Sequence, residues 1–332
     1  MTNGMRVATG QFNEPTTDAL TFAAQMGVSG VVLNNPKLPG DQRWEKDDLA
    51  ELRKRVETFG LQIESIENVP MHFYDQAMLG TEHADQQIKN YQDIIRNMGD
   101  AGIPVLGYGW TPNGVWRTSW ATPIRDGALV SAFDLNEADT ANDTQRRLAT
   151  LIPGTFDENH LWSTYEKFTH AVLPVAEASG VRLALHPADP PISPLGGIGR
   201  IASSFDGFKK AMAIADSPNN GLNFCMGCWS EMGEDVISVI KHFLSKNQIF
   251  YVHFRDVQGT VPSFNECFLG EGNVDIAKAM RTLYRGGFTG FLIDDHVPTM
   301  LGDSEWVSRG RALETGKMIG LLAAIKSEQK TT

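Results

Sequence analysis

Four short apolar segments in the second half of the chain each end in a residue that commonly binds metals. The residues are His186, Cys225, His253 and Asp295, at the ends of segments 182–186, 221–225, 249–253 and 290–295. Continuous apolar runs are typical of parallel strands that are covered on both faces. In a barrel of parallel strands the C-terminal strand ends converge on one rim, where the active site lies. The pattern therefore predicts that four potential metal ligands meet at one point.

Four earlier runs bring the number of strand-like segments to eight, and most of them are followed by a helical pattern. The earlier runs are 6–10, 30–33, 62–67 and 105–110. Apolar residues recur at helical spacing in three stretches, 88–98, 161–175 and 276–283. Eight strand–helix units predict a single TIM-barrel domain over residues 1–332. A doubly wound sheet is the alternative, but it usually has fewer strands and often a glycine-rich turn after its first strand, and none follows Gly10.

A long polar stretch, residues 111–158, separates the fourth predicted strand from the helix that follows it. Loops of this length in compact domains are usually functional or disordered. Because this one leaves the C-terminal end of a barrel strand, we predict that it forms a lid over the active site. Trp110 and Arg117, at its start, are predicted to contact the substrate.

Each candidate metal ligand is weak evidence by itself. A strand-end histidine is more often a hydrogen-bonded structural residue, Cys225 could be a small buried hydrophobe, and Asp295 could cap the next helix. The stronger evidence is that all four stand at the same end of successive strands. A set with thiolate, imidazole and carboxylate donors suits Fe²⁺, Mn²⁺ or Zn²⁺ rather than Mg²⁺.

Four polar neighbours fit a substrate site beside such a metal. Asp189 could orient a ligand imidazole, and Arg255 offers a fork for a substrate carboxylate. Glu266 adds a carboxylate on the loop after the seventh strand, although that loop could equally be only solvated. His296 follows Asp295 directly and is the best candidate for a general acid or base, since imidazole titrates near neutral pH.

Charge and cysteine content narrow the classes of function. The net charge is −11 and no basic run occurs, which argues against nucleic-acid binding. Cys225 and Cys228 have the CxxC spacing of redox and zinc sites, but there is no second CxxC, and we expect the pair at a strand end rather than at the start of a helix. The N-terminal residues lack the apolar stretch of a signal peptide, and no window is apolar enough to span a bilayer, so we expect a cytoplasmic protein without a membrane partner.

The chain also resembles the mannonate dehydratase family in a series of short motifs, in the family's order, from roughly residue 60 to residue 315. The motifs are Glu67-Asn-Val-Pro70, Lys89-Asn-Tyr-Gln-Asp-Ile-Ile-Arg96-Asn97, Arg117 with Ala132-Phe-Asp134, Leu185-His-Pro-Ala-Asp-Pro-Pro191, Phe224-Cys-Met-Gly227, Val252-His-Phe-Arg-Asp-Val257, Phe264-Asn-Glu-Cys-Phe268 and Asp295-His296.

This resemblance implies a TIM-barrel hydro-lyase of hexuronate catabolism that removes water from D-mannonate, or a related aldonate, to give 2-keto-3-deoxy-D-gluconate. It implies Mn²⁺ or Fe²⁺ held by the residues matching His186, Cys225, His253 and Asp295, and a catalytic acid or base at His296. One departure stands out. The family uses a tyrosine downstream of the Asp-His pair, whereas no tyrosine follows Tyr284 here. Either another group replaces it, or the reaction or substrate has changed.

Two other functions remain open from the sequence. A metal-dependent sugar isomerase or epimerase on a xylose-isomerase-like TIM barrel could use the same cation, but its usual ligands are two glutamates, an aspartate and a histidine. A non-catalytic sugar-acid binder would explain the missing tyrosine. In each case we expect a small-molecule partner and a homo-oligomer whose subunit number the sequence does not give.

Overall fold

Among the residues that the structure describes, eight passes of parallel strand close into a barrel. The computed structural model describes residues 4–142 and 148–328. The barrel strands are β1 (Arg6–Val7), β2 (Thr9–Phe12), β3 (Gly30–Asn34), β4 (Gln62–Glu67), β5 (Val105–Gly109), β8 (Arg182–His186), β9 (Asn220–Cys225), β10 (Ile249–His253) and β13 (Phe291–Ile293). Their order is β1-β13-β10-β9-β8-β5-β4-β3-β2. Because β1 and β2 are one pass of chain interrupted by Ala8, the sheet closes on itself. The predicted TIM barrel is confirmed, and an open doubly wound sheet is excluded.

Helices surround the barrel on its outside, except for the short helix 135–138, which packs against the strand before it in the polar stretch 111–158. They are α1 (Thr17–Gln25), α2 (Lys46–Glu57), α3 (Asp75–Leu79), α4 (Ala84–Asp100), α5 (Leu135–Ala138), α6 (Glu158–Ser179), α7 (Phe205–Ala213), α8 (Met226–Glu231), α9 (Val236–Leu244), α10 (Ile276–Arg285) and α11 (Ser308–Glu328), with 3₁₀ turns at Met71–Phe73 and Arg125–Gly127. The three predicted helical stretches fall in α4, α6 and α10. Among the described residues, no helix combines the length and apolar character needed to span a membrane.

The polar stretch 111–158 contributes to a second, antiparallel sheet. Its strands are β6 (Ser119–Pro123), β7 (Leu129–Asp134), β11 (Val257–Thr260) and β12 (Ser263–Glu266), in the order β11-β12-β7-β6. β12 follows the seventh barrel pass, and Phe264 on β12 lies opposite Phe133 on β7. The stretch is therefore fixed to the loop on the far side of the rim. Residues 143–147 lie outside the described residues.

Two apolar layers hold the barrel together. The outer layer packs the helices against the strands. The inner layer fills the barrel with side chains such as Val32, Val105, Tyr251 and Ile293. Alternate strand residues point inward and outward, so the filled interior leaves the last strand residues to form the rim. The rim is where polar side chains can be exposed to a substrate.

Candidate metal centre and active site

The four side chains predicted as metal ligands come together at the C-terminal rim. One donor atom from each of His186, Cys225, His253 and Asp295 lies within 4.8 Å of the others. Strand register explains the meeting, since His253 pairs with Cys225 across β9 and β10. Asp295 lies two residues beyond the end of β13 rather than within it. Donors that share an ion at about 2.0–2.3 Å are at most about 4.6 Å apart, so this cluster is close to the size that one ion requires.

Hydrogen bonds leave one nitrogen of each imidazole free for a cation. Nδ1 of His186 lies 2.7 Å from the carbonyl oxygen of Pro187. Nε2 of His253 lies 2.8 Å from Oε2 of Glu67, while its Nδ1 is buried without a hydrogen-bond partner, 3.4 Å from Oδ2 of Asp295. An unpaired buried nitrogen is costly. A divalent cation at this point would satisfy it, so these residues fit such a group.

Glu67, at the end of β4, orients His253, and the sequence reasoning gave it no role of its own. Its carboxylate accepts a hydrogen bond from the Tyr251 hydroxyl at 3.1 Å and from the Gln11 amide at 2.8 Å, in addition to the contact with His253. Tyr251 reaches it because the facing residue is Gly107, where a Cβ atom would collide with the tyrosine hydroxyl. A carboxylate behind a ligand imidazole fixes its tautomer and raises its basicity.

The protonation of the cluster follows from its mutual contacts. Burial by itself would raise the pKa of the Cys225 thiol, but Cys228, Arg255 and the two imidazoles hold it well below the usual value. Burial would lower the pKa of His253, yet Glu67 and Asp295 raise it well above the usual value. The pKa of Asp295 is depressed in spite of burial, because His296 and His253 lie beside it. Without a metal, the thiolate of Cys225 and the carboxylate of Asp295 thus face the protonated imidazole of His253, and a cation could replace its proton.

A buried charge network lies beneath the cluster. Arg117 forms a bidentate pair with Asp189 at 2.5 and 2.8 Å and also contacts Glu266 at 3.0 Å. Arg255 binds Glu266 at 2.7 and 2.5 Å, Asp189 at 3.1 Å, and Glu231. Its Nη1 also donates to Cys225 Sγ at 3.4 Å. The network therefore fixes the position of the candidate thiolate ligand.

This network corrects three predicted substrate contacts. The side chains of Arg117 and Arg255 are fully buried, and that of Glu266 is 1% exposed, so they bind one another rather than a molecule in the cavity. Each arginine gathers its acids from distant segments, which no local motif reveals. Their effect on a substrate would pass through the groups they position.

Two further predictions also differ from the structure. Asp189 binds Arg117 and Arg255 rather than a ligand imidazole, and the Pro187 carbonyl orients His186 instead.

Trp110 is 1% exposed and donates its indole N–H to the Leu161 carbonyl at 3.2 Å. It lies just past β5 and packs against α6, because a residue one position beyond the strand can turn outward into the helical layer. Trp110 is therefore a core residue.

A cavity of about 220 Å³ opens beside the donor cluster, and two of the four candidate donors, His186 and Asp295, lie in its wall. His186, Asp295, His296, Glu67 and Tyr74 line it, together with Thr111, Gly114, Val115 and Leu148 from the 111–158 stretch. A wider groove of about 820 Å³ lies elsewhere, near α1 and α2, but none of the metal donors lines it. The smaller cavity is therefore the candidate active site, because His186, Asp295 and His296 lie in its wall.

His296 is the candidate acid or base that this cavity exposes. Its side chain is 20% exposed, with Nδ1 at 3.5 Å from Glu266 Oε1 and Nε2 at 3.7 Å from Asp295 Oδ2. The two carboxylates hold the ring between the charge network and the metal donors. The imidazole is thus oriented and still open to a substrate.

Residues 303–314, downstream of the Asp295-His296 pair, match the part of the family that carries the tyrosine, and Trp306 within them packs against the barrel. Trp306 stacks on Phe12 with ring centroids 4.3 Å apart and donates its indole N–H to the Gln11 carbonyl at 3.1 Å. Among the described residues, the tyrosine on the cavity wall is Tyr74, which precedes α3. Burial raises the pKa of Tyr74. The hydroxyl of Tyr74 therefore stays protonated near neutral pH.

Proteins of one family, the mannonate dehydratases, are similar to this chain over nearly its whole length. The model of a family described as D-mannonate dehydratase (UxuA) matches residues 5–332. The mannonate dehydratase of Streptococcus suis (strain 05ZYH33) is 32% identical over 298 residues, covering 83% of this chain and 81% of its own. That of Thermotoga petrophila is 30% identical over 336 residues, covering 92% of both chains.

Solved structures give the same result for the fold. The crystal structure of mannonate dehydratase from Streptococcus suis serotype2 superposes with a TM-score of 0.85 at 29% identity, covering 98% of this chain and 95% of that one. The structure of an L-ribulose 3-epimerase reaches a TM-score of 0.59 at 15% identity, covering 98% and 97%. The second likeness is one of fold alone.

Proposed function

The chain belongs to the D-mannonate dehydratase family, and we propose that it converts D-mannonate, or a closely related aldonate, into 2-keto-3-deoxy-D-gluconate with a divalent cation, Mn²⁺ or Fe²⁺. As a family member it is a sugar-acid dehydratase, a hydro-lyase. The observation that carries the proposal is the meeting of four donor atoms within 4.8 Å beside a cavity that also exposes His296.

His186, Cys225, His253 and Asp295 would hold the cation. When bound, it would act as a Lewis acid on the substrate carboxylate and the C2 oxygen. The mixed donor set, with one thiolate, favours Mn²⁺ or Fe²⁺ over Mg²⁺. Glu67 and the Pro187 carbonyl support this role, because each binds the outer nitrogen of a ligand histidine.

His296 would move a proton during the dehydration. Removing water from a 2,3-dihydroxy acid requires loss of the C2 proton and departure of the C3 hydroxyl, so one group must accept a proton and another must supply one. The exposed ring of His296 lies at the cavity wall next to the metal donors, within reach of a bound sugar acid. Glu266 and Asp295 keep its two nitrogens oriented.

Arg117 and Arg255 would act as positioning residues. Arg255 donates to the sulfur of Cys225, and Arg117 holds the same acids, Asp189 and Glu266, from the other side. Because Glu266 also faces His296, the network links the thiolate to the imidazole. Loss of either arginine should therefore disturb both groups at once.

We propose that stretch 111–158 is a lid. Thr111, Gly114, Val115 and Leu148 already form part of the cavity wall, and β7 is tied to β12 on the opposite side of the rim. These contacts would shield the reaction from bulk water and would give the stretch a part in choosing the sugar acid.

A keto-acid assay on a panel of aldonates tests the function. We expect product from D-mannonate that disappears with a chelator and returns when Mn²⁺ or Fe²⁺ is added. Interconversion of neutral sugars without keto-acid formation would favour an isomerase instead. Tight binding of mannonate with no product, with every candidate cation supplied, would point to a non-catalytic binder.

Two further proposals concern the setting of the enzyme. We propose a small sugar acid as its partner, in the cytoplasm and without a membrane, and the net charge of −11 argues against nucleic acid as a partner. We also propose a homo-oligomer. Light scattering after size-exclusion chromatography measures the subunit number, and a monomer at working concentration would contradict the proposal.

A further inference from the structure

Two cysteines lie close together at the candidate metal centre, but only Cys225 belongs to the cluster of four donors. Cys225 and Cys228 are both fully buried. We expected them at a strand end with no helix following, but α8 begins at Met226 and Cys225 is its N-cap residue. The side chains of the N-cap residue and of the third helical residue face each other at a helix start. Cys225 does end strand β9 as expected, but the expectation that the pair does not open a helix was wrong.

Direct contacts show that the two sulfurs are neighbours. Nη1 of Arg255 donates to Cys225 Sγ at 3.4 Å and to Cys228 Sγ at 3.6 Å. Cys228 is also close enough to Cys225 to lower the pKa of the Cys225 thiol. Gly227 allows this packing, because a Cβ atom there would lie 2.8 Å from Nε of Arg255. The third cysteine, Cys267, is buried on the loop after β12 and offers an internal reference.

We infer that Cys225 and Cys228 form a reversible disulfide when the protein meets a peroxide, and that this bond withdraws Cys225 from the metal centre. The sulfur of Cys225 attacks one peroxide oxygen, the O–O bond breaks, and a sulfenic acid and water result. The sulfur of Cys228 then displaces the sulfenic oxygen, which leaves as a second water. In total, two thiols lose two electrons and two protons, and the peroxide is reduced to two waters.

A peroxide would approach the buried sulfurs from the side of the cavity. His186 and Asp295, which share the donor cluster with Cys225, both line it. A cation coordinated by the same sulfur would block the attack, so the metal-free protein should react faster. This consequence rests on the proposed metal centre, whereas disulfide formation itself does not.

The test uses the full chain, stripped of metal with a chelator and treated with hydrogen peroxide. Free thiols are counted, the peptides are mapped by mass spectrometry, and Mn²⁺ binding is titrated before and after reduction with a dithiol. We expect two of the three thiols to disappear together, a peptide with Cys225 linked to Cys228, and Mn²⁺ affinity at least tenfold weaker until reduction. Prior loading with Mn²⁺ should slow the thiol loss.

Two variants separate the possible results. Cys228→Ser should be unable to form the linked peptide, and Cys267→Ser should behave as the unmodified protein does. The inference is overturned if peroxide leaves both thiols free, or if it oxidises Cys225 irreversibly with Cys228 untouched. If the disulfide forms but Mn²⁺ affinity is unchanged, the inference that the bond withdraws Cys225 from the cation is wrong, and Cys225 is not a metal ligand. The dehydratase activity is tested separately by the keto-acid assay.

Discussion

Replacement of Glu67 by glutamine should weaken metal binding without removing a ligand. The carboxylate accepts from His253, Tyr251 and Gln11, with His253 and Gln11 on different oxygens. Glutamine has the same shape but only one acceptor oxygen. In either amide orientation, its NH₂ group faces a donor, and the hydrogen bond that orients His253 is lost or weakened.

The expected loss of metal affinity can be taken from the contribution of similar hydrogen-bond partners in other metal sites. Removing the hydrogen-bond partner of a ligand histidine typically costs 10–100-fold in metal affinity, which is about 1.4–2.7 kcal/mol at 25 °C. We therefore expect Glu67→Gln to raise the Kd for Mn²⁺ by about 10–100-fold. Titration calorimetry at neutral pH and fixed ionic strength measures it, with thermal unfolding of the metal-free protein recorded alongside.

Glu64→Gln is the matched control. Glu64 is also buried, lies on the same strand, and is hydrogen-bonded to Arg6, Ser29 and Gln62. It stands three residues earlier, about 10 Å along the strand. This variant should lose stability and keep its Mn²⁺ affinity. Equal Mn²⁺ affinity in Glu67→Gln and the unmodified protein would refute the role given to Glu67.

Three further outcomes are expected. His296→Asn should abolish keto-acid formation and leave Mn²⁺ binding in place, and surviving turnover would remove His296 from the mechanism. Arg255→Met should cost about 3–5 kcal/mol of unfolding free energy, because buried acids lose their partner, whereas Arg125→Met at an exposed ion pair should cost at most about 1 kcal/mol in the same denaturant titration. Burial raises the pKa of Glu314 to about 7, so ionisation should destabilise the fold as pH rises from about 4.5 to 7. The free energy of unfolding of the unmodified protein, measured relative to that of Glu314→Gln, should then fall by up to about 3 kcal/mol between pH 4 and pH 8. A difference in unfolding free energy between the two proteins that stays constant with pH would contradict this.

The sequence was sufficient to predict the barrel and the meeting of the four candidate metal ligands. Strands covered on both faces are continuous apolar runs, and parallel strands in a barrel end on one rim. The positions of His186, Cys225 and His253 at their strand ends therefore determined their proximity. Asp295 was placed correctly although β13 ends two residues earlier, because the turn keeps it at the same rim.

The network of buried charged residues could not be predicted from the strand pattern. Arg117, Asp189, Glu231, Arg255 and Glu266 come from separate segments, and each by itself is typical of a solvated loop. Their burial depends on mutual neutralisation, which appears only when the segments are brought together.

The remaining wrong predictions, for Trp110 and for the start of helix α8, concern residues directly after a strand end, where the sequence does not show which way the chain continues. Trp110 lies one residue past a strand, where it can face either the cavity or the helices. Helix α8 has only six residues and begins directly after the last residue of β9, so it is too short to show a helical period in the sequence.

Anomalous diffraction from crystals soaked in Mn²⁺ tests the central claim most directly. We predict one strong peak about 2.0–2.4 Å from donor atoms of His186, Cys225, His253 and Asp295. A peak at the other cluster of potential ligands, Asp189, Cys228 and Glu231, with none at the first, would contradict the account.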